Sequence, residues 1–445
     1  MTFSATSWID QAPENWARGR LKGLVGIVMN GTWGEDPDGN GSDVNCVRAA
    51  DFDRNRQRVS REKLPKRHVA GKILRQHLLM PGDLILEKSG GGEKQPVGAA
   101  VLFDLSEPSV CSNFCARIVP AAGIDSRFLT YVFATAYSQG LTQSAIKQTT
   151  GIQNLDSGAF FATPWARPPL KEQRRIADFL DAETARIDRS VSVNERALTL
   201  LDERRHAIIY HEVIGSRIPG VRARSGLGWV EELPAIWDVV PLKYVARLGS
   251  GHTPSRTHPE YWENCTIPWI SLFDVGRMRN PRQEELSETT QLISELGMAN
   301  SSACLHPTGT VVLSRTASVG FSTIMGHDMA VSQHFVTWTC GERLLPKYLL
   351  YLLRAMRQYF ESVQVGTTNV TVFMPDLYAI EVPLPSVAQQ REIIGRVGEQ
   401  TAAVDRLADR LKRQAKLLAE RRQALITAAV TGRIDVTTAR GVEVG

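Results

Sequence analysis

Apolar positions recur every seven residues in two long stretches of the chain. In the first, Leu180, Ile187, Asn194, Leu201 and Ile208 form a stripe, with Thr184, Val191, Leu198 and Arg205 beside it. In the second, Val397, Val404, Leu411, Leu418 and Leu425 form the stripe, flanked by Thr401, Ala408, Ala415 and Arg422. Two neighbouring stripes sustained at this spacing predict a coiled-coil seam. No proline falls from 170 to 218 or from 386 onward, and both stretches are rich in Ala, Leu, Arg and Glu, so each reads as one long helix. Pro168, Pro169, Pro383 and Pro385 sit just ahead of the helices, where proline is tolerated. Gly215 and Gly432 stand where a C-terminal cap belongs.

Outside these stretches the pattern changes to short apolar runs broken by Gly, Pro and Asn. LKGLVGIVM, DLILEK, AAVLFDL and FCARIV read as strands before the first helix, and TVVLSRT, GFSTIM and HFVTWTC before the second. Short helices are expected at 127–147 and 346–362. The two halves are copies. Residues 173–215 and 390–432 align without a gap, with 17 of 43 positions identical, including Gln173/Gln390, Asp188/Asp405 and Gly215/Gly432. Upstream, Pro13 and Trp16 match Pro234 and Trp237, PGDLILEKSG resembles PTGTVVLSRTA, and Asn113-Phe114 resembles His334-Phe335. The expected fold class is therefore α+β: two tandem mixed α/β blocks, 1–167 and 218–384, separated by two long coiled-coil helices, 168–217 and 385–435, with a tail at 436–445. The packing positions are Leu180, Ile187, Leu201, Ile208, Val397, Val404, Leu411, Leu418 and Leu425. From Leu180 to Ile208 such a helix spans roughly 42 Å, against about 34 Å between successive major-groove faces of B-DNA.

At 445 residues the chain exceeds one ordinary core. Its 43% hydrophobic and 22% charged residues exclude wholesale disorder. No apolar run is long enough to span a membrane, and the N-terminal stretch lacks a secretory pattern, so a cytoplasmic chain is expected. The six cysteines (46, 111, 115, 265, 304 and 340) show no metal-cluster spacing and read as reduced thiols.

The net charge of +5 is a mild tilt; its distribution says more. Residues 48–75 hold ten Lys/Arg against three acids. Such a surplus suits phosphate binding by displaced counterions, and marks Arg54, Arg56, Arg58, Lys63, Lys66 and Arg67 as DNA-contact candidates. A solvated charged loop is the alternative. Lys88-Ser89 and Arg315-Thr316 occupy matching strand ends, each a cation followed by a hydroxyl. Arg256, Arg277, Arg279 and Arg282 complete the set, and Asn154 and Asn369 lie in similar places before the two helices. No nucleotide-binding loop, zinc-protease motif, adenine-methyltransferase motif or metal-spaced histidine pair is present, so neither a catalytic nor a metal residue is assigned. The nearest nuclease pattern is Asp83 and Glu87, which become Thr310 and Ser314 in the second copy. A metal-dependent nuclease using this pair and a non-DNA coiled-coil scaffold are the alternative functions.

The proline-ended strand running into a helix start, ARPPLKEQRRIADFLD and VPLPSVAQQREIIGRV, resembles the specificity subunit of Type I restriction–modification systems. So do APENW and LPAIW near each block start, and the ERR-x-A-I helix ends. The second copy departs by having AQQRE where EQ is commoner. The resemblance implies two target recognition domains, each reading one half of a bipartite DNA sequence, with the two long helices packed antiparallel and gauging the unread gap. It implies a non-catalytic, prokaryotic subunit without a cofactor of its own. Double-stranded DNA, two methyltransferase subunits and, in some assemblies, restriction subunits would be its partners. S-adenosylmethionine, and ATP and Mg for restriction, would belong to those partners, which would carry adenine-N6 methylation and ATP-dependent cleavage.

Overall fold

Leu84, Ile85 and Leu86 are wholly buried although their side chains alternate in direction. Both faces of their strand are covered: Leu84 and Leu86 enter one apolar cluster and Ile85 another. Val311, Val312 and Leu313 repeat this arrangement in the second half. A continuous apolar run at each position is therefore a two-sided central strand.

The computed structural model describes residues 9–39, 42–149, 151–366 and 370–436. It divides into two units, one of Met1–Asn194 with Arg413–Gly445 and one of Glu195–Lys412. In the first, six strands run in the order Val25–Asn30, Cys115–Pro120, Leu84–Glu87, Ala100–Leu102, Arg58–Val59 and Phe52–Asp53. In the second, five run Ala246–Ser250, Phe335–Cys340, Val311–Ser314, Ser322–Met325 and Glu285–Leu286. Each sheet turns parallel only towards its far edge, at Arg58–Leu102 and at Glu285–Ile324. A short helix, Ser126–Ser138 or Pro346–Ala355, covers one face. Asp125 caps the first by accepting bonds from the backbone N–H groups of Arg127 and Phe128. The expected helix 127–147 is shorter than foreseen because the chain turns at Gly140, where φ is +72°.

Hydrogen bonds correct the alignment of the halves. Lys88 N donates to Phe114 O, and Arg315 N donates to His334 O. Phe114 therefore corresponds to His334, one residue off the match read from sequence. Leu155 N and Val372 N donate to Lys88 O and Arg315 O, so Asn154 corresponds to Thr371. Asn369 lies outside the described residues.

The long helices are Leu170–Val213 and Val387–Val430, 44 residues each. Gln173 starts the first: its Oε1 accepts from Asp125 N at 2.9 Å and its Nε2 donates to Pro168 O at 2.9 Å. Gln390 does the same with Leu345 N at 2.8 Å and Pro385 O at 3.0 Å. At the far ends Gly215 and Gly432 take φ of +63° and +72°. Ser216 N and Arg433 N reach back to His211 O and Ala428 O, which closes each helix with a Schellman motif.

Each unit contains parts of both helices. In the first, Ile176, Ala177 and Leu180 share the core with Ile426, Ala429 and Val430, and Arg422 Nε lies 3.3 Å from Asp188. In the second, Ile209, Val213 and Ile214 share the core with Ile393 and Val397. There Arg205 binds Asp405 at 2.7 Å and Arg396 binds Glu212 at 2.8 Å, so within this unit the segments run in opposite directions. The stripe residues Leu180, Ile187, Ile208 and Val397 are buried, whereas Leu201, Val404, Leu411, Leu418 and Leu425 are half-buried.

Candidate nucleic-acid interface

In the first unit the strand Leu84–Glu87 ends at Lys88-Ser89, and Ser89 pairs across to Asn154 in the next ribbon. Lys88 Nζ donates to Asn30 Oδ1 at 2.9 Å, and Ser89 Oγ donates to Asn154 Oδ1 at 2.7 Å. Phe114, whose carbonyl receives both Lys88 N and Ser89 N, is 46% exposed beside them. A cation, two amides, a hydroxyl and an aromatic ring therefore meet at one strand end.

The matching place in the second unit holds Arg315 and Thr316, bridged to Thr371. Arg315 Nε donates to Gln333 O at 3.1 Å and Nη1 to Val372 O at 3.4 Å. Burial holds this guanidinium below its ordinary range, and burial together with Arg315 holds His334 below the usual imidazole range. Thr253 donates to Gln333 Oε1 at 2.6 Å alongside. The residue after Thr316, Ala317, has φ of +63°, and its counterpart Gly90 has +112°, so the turn leaving each cation–hydroxyl pair is left-handed.

The basic loop is less free than its composition suggested. Arg54 is the counter-ion of the buried Glu87, at 2.8 Å, and sits over the rings of Phe52 and Tyr137. Burial raises the Glu87 carboxyl, opposed by Arg54. Arg58 binds Asp104 at 2.7 Å, and Arg67 lies 4.2 Å over the Trp33 ring while bonded to Asp36. Arg56 is exposed, with Asp53 at 3.7 Å as its one carboxylate among the described residues, and Lys63 and Lys66 are exposed on a shallow groove with Asn45 and Pro65. In the second unit Arg256 lies 3.5 Å over Trp262. Arg277 donates to Glu288 O, and Arg279 donates to Ser318 Oγ at 3.0 Å. Arg282 is bound by Asp405 at 3.1 Å and Asp409 at 2.6 Å, an anchor to the long helix rather than an open cation.

Asp83 and Glu87 do not converge as a metal pair would: Asp83 accepts from Met80 N at 2.7 Å and Arg117 Nε at 2.6 Å, while Glu87 takes Arg54. Among the described residues the one grouping of suitable metal ligands is Asp38, Asp43 and His68. Asp43 there already closes a turn by accepting from the Asp38 and Gly39 amides. All six cysteines are unbridged, and burial pushes the Cys46 thiol up to about 11.

A model of the Type I restriction modification DNA specificity domain matches residues 13–191 and again 234–405, the two halves identified above. The chain belongs to this family. Relatives of these specificity domains include the Type I restriction enzyme MjaIX specificity subunit of Methanocaldococcus jannaschii, 28% identical over 37% of this chain and 38% of its own length. The EcoR124I/EcoR124II specificity subunit of Escherichia coli is 23% identical over 39% of this chain and 43% of its own. These matches therefore span less than half of either relative. The HsdS subunit from Thermoanaerobacter tengcongensis shares the fold with a TM-score of 0.51 at 18% identity, over 95% of this chain and 98% of that one. A chain from a study of complex assembly and conformational transition of the type I R-M system reaches a TM-score of 0.70 at 19% identity, over 95% and 99%.

The two copies differ at the start of the long helix. Glu172 of the EQ motif accepts from Trp16 Nε1 at 2.9 Å. In the second copy Gln389 replaces it and turns to cap its own helix, accepting from Ser386 N at 3.1 Å. The indole N–H of Trp237, the partner of Trp16 in the repeat, is then buried without a hydrogen-bond acceptor. Sequence reading missed Gln173 and Gln390 as docking residues, although their identity across the repeat was the available signal.

Proposed function

We propose that this chain is the sequence-specific DNA-binding subunit of a Type I restriction–modification assembly in a prokaryotic cytoplasm. The blocks 1–167 and 218–384 each read one half of a bipartite duplex target, and the helices 168–217 and 385–435 set the unread gap. Two methyltransferase subunits, joined in some assemblies by restriction subunits, dock on the chain and supply S-adenosylmethionine-dependent methylation and ATP- and Mg-dependent cleavage. The chain itself recognises and scaffolds. The observation that carries this reading is the twofold occurrence of one strand-end platform, Lys88-Ser89 and Arg315-Thr316, in two halves that each match a DNA specificity domain. Lys63, Lys66 and Arg56 suit phosphate contacts, because among the described residues no carboxylate is seated tightly on them.

The test is to map adenine methylation in cells carrying this chain and its modification subunit, which gives both half-sites and the gap. Purified complex should then bind that duplex with a steep salt dependence. Changing Lys63 and Lys66 to Glu should weaken binding to all sequences alike and reduce the salt slope by about two. A chain that binds no duplex in the presence of its partners would instead be a protein scaffold.

A further inference from the structure

The donors and acceptors at the first strand end are not evenly balanced. Lysine can only donate, so the 2.9 Å bond from Lys88 fixes Asn30 with Oδ1 towards Lys88 and Nδ2 away from it. Ser89 Oγ donates to Asn154 Oδ1 at 2.7 Å, which leaves the hydroxyl lone pairs open and turns Asn154 Nδ2 away. Both amides are exposed, and so is Phe114 next to them. The groups left for a ligand are mainly donors, the Lys88 ammonium and two amide NH2 groups, with the Ser89 Oγ lone pairs and one lone pair on each Oδ1 as the acceptors. An Asn that reads adenine needs its Oδ1 for the N6 amino group and its Nδ2 for N7. Here each amide oxygen already holds one donor, which turns its free lone pair away from the bidentate geometry adenine requires. Adenine and cytosine both present an amino group in the major groove, which would meet donors, and thymine presents one acceptor beside a methyl. Guanine alone presents two adjacent acceptors, O6 and N7.

We propose that Lys88, with Asn30 and Asn154 beside it, reads the O6/N7 edge of a guanine in the half-site contacted by the first block. The proposal rests on the DNA-recognition reading above and adds which base this platform takes. It is made for the first block only. In the second, two nitrogens of Arg315 are turned onto the carbonyls of Gln333 and Val372, so the donor set differs.

The experiment uses the complex with its modification subunits and the mapped target. Each guanine of the first half-site is replaced in turn by 7-deazaguanine, which lacks N7, and binding is followed by fluorescence anisotropy. At one guanine the substitution should weaken binding about tenfold or more. A Lys88→Met complex should bind the unmodified duplex correspondingly more weakly and show no further loss at that guanine. Asn30→Asp, which neutralises Lys88 in place, should relax the methylation pattern at that base pair alone. Because these side chains are at the surface, unchanged melting temperatures serve as the folding control. A first half-site without guanine overturns the proposal. So do equal losses in wild-type and Lys88→Met complexes at every position. Absence of duplex binding altogether rejects the DNA reading itself, a separate result.

Discussion

Arg54 and Lys66 look alike in a charge count yet have opposite roles. Arg54 neutralises the buried Glu87, so Arg54→Ala leaves a carboxylate unpaired in the core and should cost roughly 3 kcal/mol of stability. Chemical denaturation would show this as a lower midpoint, and a midpoint equal to wild type would refute it. Lys66 is exposed, and Lys66→Glu should leave the midpoint within error while weakening DNA binding. The surplus of cations in 48–75 was legible in the sequence, but their partners were not. Arg54 and Glu87 are 33 residues apart, Arg58 and Asp104 are 46, and Arg282 and Asp409 are 127. Only the folded chain brings such acids in. Strain and protonation also act at this scale. Ala317 holds a left-handed φ, so Ala317→Gly should raise stability by about 1 kcal/mol, measured by thermal melting. Burial places His206, His306 and His334 below the usual imidazole range, with Arg357 and Arg354 adding to the effect on His206 and Arg315 on His334. The folded state therefore resists protons that the unfolded chain accepts near the ordinary histidine value. Stability is present above about pH 6.5 and is lost as pH falls through it. The melting temperature should be lower at pH 5.5 than at pH 7.5, and replacing His306 by Asn should reduce the difference.

Elements were the most readable level. The period of seven and the lack of proline define both long helices, and the short apolar runs at 84–87 and 311–314 become central strands. Sheet order was not legible, because non-local pairing such as the parallel contact of Arg58 with Leu102 leaves no periodic trace. Alignment between the halves was right for the long helices and one residue off at Phe114, since only hydrogen-bond register separates neighbouring positions there. The helix ends carry the clearest test. A Cβ on Gly215 would sit 2.6 Å from Trp237 and 2.8 Å from Pro234, at φ +63°. Gly215→Ala should therefore destabilise by about 2 kcal/mol. A variant as stable as wild type would show that the loop simply moves aside.

At the scale of the whole molecule, the two units share a plan, but the first is built from two separated stretches of sequence and the second from one. If the helices set the unread gap, inserting one heptad into each should add about 10 Å, or about three base pairs, to the tolerated spacing. Methylation mapping of the insertion variant would show it, and altered half-sites would contradict the proposed division of labour. The interlaced construction also bears on how the protein is made. Ile426, Ala429 and Val430 belong to the core that forms around Phe128 and Leu129, so the first unit cannot close until that distant helix end is made. Residues 195–412 form the second unit as one continuous stretch. On the ribosome, then, the later-encoded unit can mature first, while the nascent amino-terminal block waits, apolar face uncovered, for a helix end encoded some three hundred residues downstream.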